Sequence, residues 1–185
     1  DHTCKSSTTA HQTEFAFVDA MIPVINPAGV QEFLDFGLHG WAMSRYSGCW
    51  TAFKTVAETV DTSASVFVDP HRLTIQLPQD FSLPSGGLNI RWPDDPLSQE
   101  RRLHEWKLEA VKAYTRANRL DRIIMGGPQR RLGIITCGKS YLDVRQALDD
   151  LGIDEHLANE LGLSVYKLAV TWPIEPQGLR AFAEG

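Results

Sequence analysis

Leu132-Gly133-Ile134-Ile135-Thr136-Cys137-Gly138 is an apolar run that stops at a glycine, and Ser140 to Leu151 follows it. A short apolar run closed by glycine reads as a buried strand, and the segment after it as a helix. Val165 to Thr171 is a second apolar run of strand length, ended by Trp172-Pro173. Strand, helix and strand in that order make a βαβ unit, whose crossover requires a parallel sheet and a right-handed turn. The fold class is therefore α/β, with a Rossmann-like parallel sheet in the last third of the chain.

Upstream of that unit, Phe15-Ala16-Phe17-Val18 and Met21 to Ile25 read as two further buried strands. Asn26-Pro27 has the form of an N-cap followed by proline in a first helical turn. Val30, Phe33, Leu34, Leu38 and Trp41 then fall on one helical face, Tyr46-Ser47-Gly48 breaks the helix, and Cys49 to Val60 predicts a second one. Val66 to Val68 and Leu73 to Leu77 flank Asp69-Pro70-His71 as a hairpin would. Pro78 to Pro96 reads as a surface linker, with four prolines and Ser85-Gly86-Gly87. Asp95-Pro96 repeats the cap signature, and Leu103, Trp106, Ala110, Ala113, Tyr114 and Ala117 line one side of a long helix.

The 185 residues are 43% hydrophobic and 22% charged, enough for a sizeable core, and the formal charge is −5. That balance supplies no basic face for nucleic acid or anionic lipid. No apolar run nears the length of a bilayer span and no leader opens the chain, so the expected location is cytoplasmic, without membrane contact. Cys4, Cys49 and Cys137 are odd in number and lack ligand spacing, so neither a disulfide framework nor a metal site is expected from them. Both ends read as cut, the first because Asp1 to Thr9 is polar and patternless, the last because a helix is under way at Gln177 to Glu184.

Three stretches hold groups that could do chemistry. Gly138-Lys139-Ser140 sits where open α/β sheets place ligands, but its glycine spacing is not that of a phosphate loop; a tight turn with Ser140 as helix cap explains it better. Arg45 and Tyr46 stand at a helix break and suit an interface or a helix C-terminus. His2, Lys5, Ser6, Ser7, His11 and Gln12 put a charge, hydroxyl donors and imidazoles into twelve residues, as a carboxylate or phosphate site would. Composition alone reads that last set as a solvated chain end.

Longer strings then bear on the same residues. Gly40-Trp41-Ala42-Met43-Ser44-Arg45-Tyr46-Ser47-Gly48, Gly87-Leu88-Asn89-Ile90-Arg91-Trp92-Pro93-Asp94 and Leu132 to Tyr141, together with Leu97 to Arg122 and Lys167 to Pro176, resemble the long fused indolepyruvate:ferredoxin oxidoreductases, in one order along essentially the whole chain. The resemblance implies chemistry in which thiamine diphosphate attacks an aryl pyruvate and carbon dioxide leaves. The acyl group then passes to coenzyme A, and electrons run through 4Fe-4S clusters to ferredoxin. It implies that residues 1–66 are the end of a pyrimidine-binding domain, 67–125 a connecting segment, and 126–185 the start of a transketolase-C-terminal-like domain.

By the same resemblance, Asp1, His2 and Thr3 lie beside the coenzyme, and Lys5, Ser6, Ser7, His11 and Gln12 line the substrate pocket. His11-Gln12-Thr13 falls where related pyruvate enzymes carry arginine, glutamine and threonine, the arginine holding the substrate carboxylate. A neutral histidine offers one hydrogen bond where arginine offers a permanent bidentate charge, so Lys5 would share that role. The activating glutamate, the magnesium-diphosphate motif and the cluster cysteines belong to other parts of the parent. The chain alone is thus expected to be an inactive fragment that binds neither thiamine diphosphate nor magnesium. Its partners would be the parent's other domains and, through the parent, ferredoxin and coenzyme A; exposed edges would drive homo-oligomers. The alternative is a stand-alone Rossmann-like domain that binds a small ligand or a partner.

Overall fold

The computed structural model describes residues 9–185. Along the chain these form α1 (Glu14–Asp19), β1 (Val24–Ile25), α2 (Val30–Ser47), β2 (Ala52–Phe53), α3 (Ala57–Val60) and α4 (Pro96–Arg102). A π-helical turn (Leu103–Lys107) leads into α5 (Leu108–Ala117), then β3 (Arg122–Met125), β4 (Leu132–Cys137), α6 (Gly138–Asp150), α7 (Glu155–Leu161), β5 (Leu163–Leu168), β6 (Val170–Trp172) and α8 (Pro176–Glu184).

The βαβ unit is present. β4 runs parallel to β5 in unbroken register, from Leu132 opposite Leu163 to Cys137 opposite Leu168. β3 joins the other edge of β5 antiparallel, across an irregularity between Ile123 and Met125, so this sheet is mixed. Helices cover both faces, and β5 is buried along its whole length, as a central strand must be. Leu163 and Val165 pack with Leu148 and Ala158 on one side, while Tyr166 and Leu168 meet Phe182 on the other.

The apolar run Val165 to Thr171, which reads as one strand, is divided between two, β5 and β6, in different sheets. At Ala169 the chain leaves β5, and β6 pairs antiparallel with β1, whose other neighbour is the parallel β2. One carboxylate oxygen of Asp121 holds the crossing, accepting from the Ala169 N–H at 2.7 Å and the Val170 N–H at 3.1 Å. Ile25 and Val170 from this second sheet are fully buried with Met43, Val111 and Tyr114.

Several expectations are corrected. Residues 15–18 are helical rather than a strand: Thr13 O accepts from Ala16 and Phe17, and Phe15 is 81% exposed. Four apolar residues are too few for periodicity to tell the two apart. Asn26 does not cap α2, whose N-cap is Gly29; its N–H instead donates to Ala169 O at 2.8 Å. The stretch 49–60 is not one helix, because Gly48 ends α2 in the left-handed region and the next residues are captured by β1. There the Ala52 and Lys54 N–H groups donate to Pro23 O and Ile25 O.

No hairpin forms over 66–77, although the turn at Asp69 exists, with Arg72 N–H on Asp69 O. Side-chain amides replace the missing strand partners: Gln31 bonds both the N–H and the C=O of Phe67, and Asn118 does the same for Gln76. The stripe expected to bury α2 is also displaced. Phe36, His39, Gly40 and Met43 face inward, whereas Leu34, Leu38 and Trp41 are exposed. Two features turn the helix this way. Gly40 lets the backbone approach Ile25, and Glu32 pairs with the buried Lys167 of β5.

Asp95 does cap α4, accepting from Ser98 N–H at 3.0 Å with Pro96 in the first turn, and Ala110, Ala113 and Tyr114 are buried as the helical spacing predicts. Among the described residues no helix is long and apolar enough to cross a membrane.

Candidate functional site

The carboxyl ends of β1, β2 and β4 converge, and the residues just beyond them form a polar cluster with the segment that enters α1. Asn26 leaves β1, Lys54 leaves β2 and Cys137 ends β4. The Asn26 amide nitrogen lies 3.7 Å from Cys137 Sγ. Gly138 follows at φ +49°, a conformation that favours glycine, and a Cβ there would collide with the Asn26 amide.

Lys54 reaches back over this junction. Its ammonium pairs with Glu14 Oε1 and lies 3.4 Å from Gln12 Oε1, with 15% of the side chain exposed. Burial alone would raise the Glu14 carboxyl, but the hydrogen bond and charge of Lys54 hold it below the usual carboxylate range. Its second oxygen is buried without a hydrogen-bond partner among the described residues. Burial pushes the Cys137 thiol up, against the opposing pull of Lys54, so the sulfur is a neutral thiol near pH 7. The arrangement offers a fixed ammonium, two side-chain amides and a carboxylate with one free acceptor: the elements that bind a carboxylate and position a proton.

Of the residues singled out from sequence, Gln12 belongs to this cluster, and His11 lies beside it in the chain and is exposed. Asp1, His2, Thr3, Lys5, Ser6 and Ser7 lie outside the described residues. Lys139 is tied to Asp143 at 2.5 Å on the surface of α6. Ser140 caps nothing, because α6 begins at Gly138 with Cys137 as N-cap. Arg45 and Tyr46 line an apolar groove with Leu38, Trp41, Ile75 and Leu77. Sequence reading missed Glu14, Asn26, Lys54 and Cys137. The signal available for two of them was position, since Asn26 and Cys137 each end an apolar run next to a helix-breaking residue. Among the described residues no group of three or more His, Cys, Asp or Glu side chains is placed to hold a metal ion.

The sequence comparisons bear on this site. A family model described as the indolepyruvate oxidoreductase domain matches residues 122–185. The indolepyruvate oxidoreductase subunit IorA of Pyrococcus abyssi is 27% identical over 174 residues, covering 90% of this chain and 25% of that protein. The subunit of the same name from Methanothermobacter thermautotrophicus is 25% identical over 166 residues, covering 86% of this chain and 24% of its own length. The chain thus spans about a quarter of these relatives. A 2-oxoglutarate:ferredoxin oxidoreductase from Magnetococcus marinus, solved with 2-oxoglutarate, coenzyme A and succinyl-CoA bound, superposes with a TM-score of 0.51 over 88% of this chain and 33% of that one. At 13% identity that likeness is one of fold. Domain match, relatives aligned along most of the chain and shared α/β fold agree: the chain is similar to the indolepyruvate oxidoreductases, with the domain match confined to residues 122–185.

Proposed function

We propose that this chain forms part of the substrate pocket of a larger 2-oxoacid oxidoreductase, with Lys54, Gln12 and Asn26 directed at the carboxylate end of an aryl pyruvate. The observation that carries the reading is the convergence of Gln12, Glu14 and Lys54 at the carboxyl ends of parallel strands, where open α/β sheets bind ligands. Lys54 offers the substrate carboxylate an ammonium group, where position 11 offers an imidazole. Glu14 keeps that ammonium in place before substrate arrives, and its free oxygen can accept a hydrogen bond or a proton. Cys137, held as a thiol, contributes a weak donor and a compact wall.

When bound, thiamine diphosphate would supply the carbanion chemistry of decarboxylation, and iron-sulfur clusters and coenzyme A would take the electrons and the acyl group. The opening residues Asp1, His2, Thr3, Lys5, Ser6 and Ser7 belong to the same pocket in this reading. In the same reading the chain divides into 1–66, 67–125 and 126–185. The other domains of the parent complete the site, and ferredoxin meets them rather than these residues. The chain by itself is inactive in this account.

The test is Lys54→Met in the complete oxidoreductase, assayed by viologen reduction with indolepyruvate, phenylpyruvate, pyruvate and 2-oxoglutarate. The expected result is a KM for the preferred aryl pyruvate raised about tenfold to a hundredfold, with kcat changed less, as loss of a carboxylate contact predicts. An unchanged KM would remove Lys54 from the substrate site. Turnover by the 185-residue chain alone would overturn its status as an inactive part.

A further inference from the structure

A second site lies away from the cluster at Lys54. A cavity of about 680 Å³, within the range of small-molecule sites, opens between the α1–β1 turn, the end of α2 and the α4–π turn segment. It shares no lining residue with the Gln12, Glu14, Asn26, Lys54 and Cys137 cluster. Its walls carry Ile22, Trp50, Ile90, Leu97 and Leu103. Trp50, Ile90 and Leu97 are 80%, 73% and 75% exposed, so the apolar wall is open to a ligand.

One charged side chain in that wall is buried. Lys107 is 8% exposed, and among the described residues its ammonium has a single acceptor, Gly48 O at 3.1 Å. An ammonium carries three donors, so two remain for whatever enters the cavity. A buried cation this poorly satisfied is costly unless an acceptor completes its shell.

The backbone departs from regular geometry at two places in the lining of the same cavity. Met21, in its wall, is one of two non-glycine residues with positive φ among those described, at +55°. The helix that brings Leu103 and Lys107 to the same wall is wound as a π turn. Distortions of both kinds concentrate where a fold builds a site. Asp19 and Glu100 also line the cavity, and their charge disfavours a ligand with more than one negative group.

We infer that this cavity binds a small monocarboxylate with a flat apolar body, the carboxylate on Lys107 and the body against Trp50, Ile90, Leu97 and Leu103. The site is independent of the proposed pocket at Lys54. It is tested by calorimetric titration of the 185-residue chain with 1-naphthaleneacetate, its uncharged amide, and 1-naphthylmethylamine, three ligands that share a ring and differ in charge. Saturable binding of the carboxylate is expected, at least about tenfold tighter than either other compound. Lys107→Met should remove that preference. Because a buried lysine also supports the fold, Leu97→Asp provides a second variant: it puts a carboxylate at an exposed position in the same wall and should weaken 1-naphthaleneacetate about tenfold or more with an unchanged melting temperature. Equal or tighter binding of the amine would overturn the inference. So would undiminished affinity in Leu97→Asp, or no saturable binding of the carboxylate.

Discussion

Asp121→Asn should make the folded chain more stable at pH 8 and remove the fall in stability that this carboxyl causes between about pH 4 and 6, by an amount that follows from its environment. Burial, opposed by the Ala169 and Val170 N–H groups and reinforced by nearby Glu175, raises Asp121 from its ordinary 3.8 to about 6. Its Oδ2 is sealed from solvent without a hydrogen-bond partner among the described residues, while Oδ1 takes both backbone donors. With the folded value above the unfolded one, the folded chain binds more protons between pH 4 and 6. Stability is therefore highest below about 4 as far as this group is concerned, and falls as pH rises to 6. At 1.36 kcal/mol per decade the ionised form costs about 3 kcal/mol above pH 6. Asparagine keeps an oxygen for Ala169 and Val170 and carries no charge; its new N–H pair must find acceptors, so a net gain of about 1–2 kcal/mol at pH 8 is expected. Urea denaturation at pH 4, 5, 6, 7 and 8 measures this. If the wild type gains stability steadily from pH 4 to 7 while the variant tracks it in parallel, the reasoning about Asp121 fails.

Three other perturbations test the fold. Gly138→Ala forces a Cβ at positive φ into the Asn26 amide and should cost about 2–4 kcal/mol, read as a lower melting temperature. Lys167→Met leaves the Glu32 carboxylate without its ammonium and should cost about 3–5 kcal/mol at pH 7, and the double variant with Glu32→Gln should recover part of it; equal losses in single and double variants would show that the pair is not coupled. Asp95→Ala removes the cap of α4 and should lower the urea midpoint of unfolding, whereas Asp95→Ser should largely keep it.

Features that depend on nearby residues were legible in the sequence. The βαβ unit, the cap at Asp95 and the helix end at Gly48 follow from apolar runs and from residues whose backbone preferences act within a few positions. The errors occur where a distant partner decides. Ala52-Phe53 becomes strand because β1 offers a parallel edge to it, and 66–77 stays irregular because Gln31 and Asn118 supply amides in place of a neighbouring strand. α2 carries two competing apolar stripes, and a salt bridge to a residue more than a hundred positions away selects between them. The candidate site shows the same division. Gln12 stood out by composition. Lys54 and Glu14 carry no motif, and only the pairing of β1 with β2 brings them together.

The passage from β5 to β6 through Ala169 bears on where this protein can be divided. Residues 122–185 are recognisable as a family domain, yet that stretch includes β6, whose pairing partner is β1, and its first strand follows the aspartate that holds the crossing. Excised at residue 122, the segment would expose Val170 as an unsatisfied edge and leave the Ala169 and Val170 amides without their carboxylate. The recognised domain is therefore smaller than the set of elements it packs with, and a shortened version of the chain would have to carry β1 and Asp121 with it.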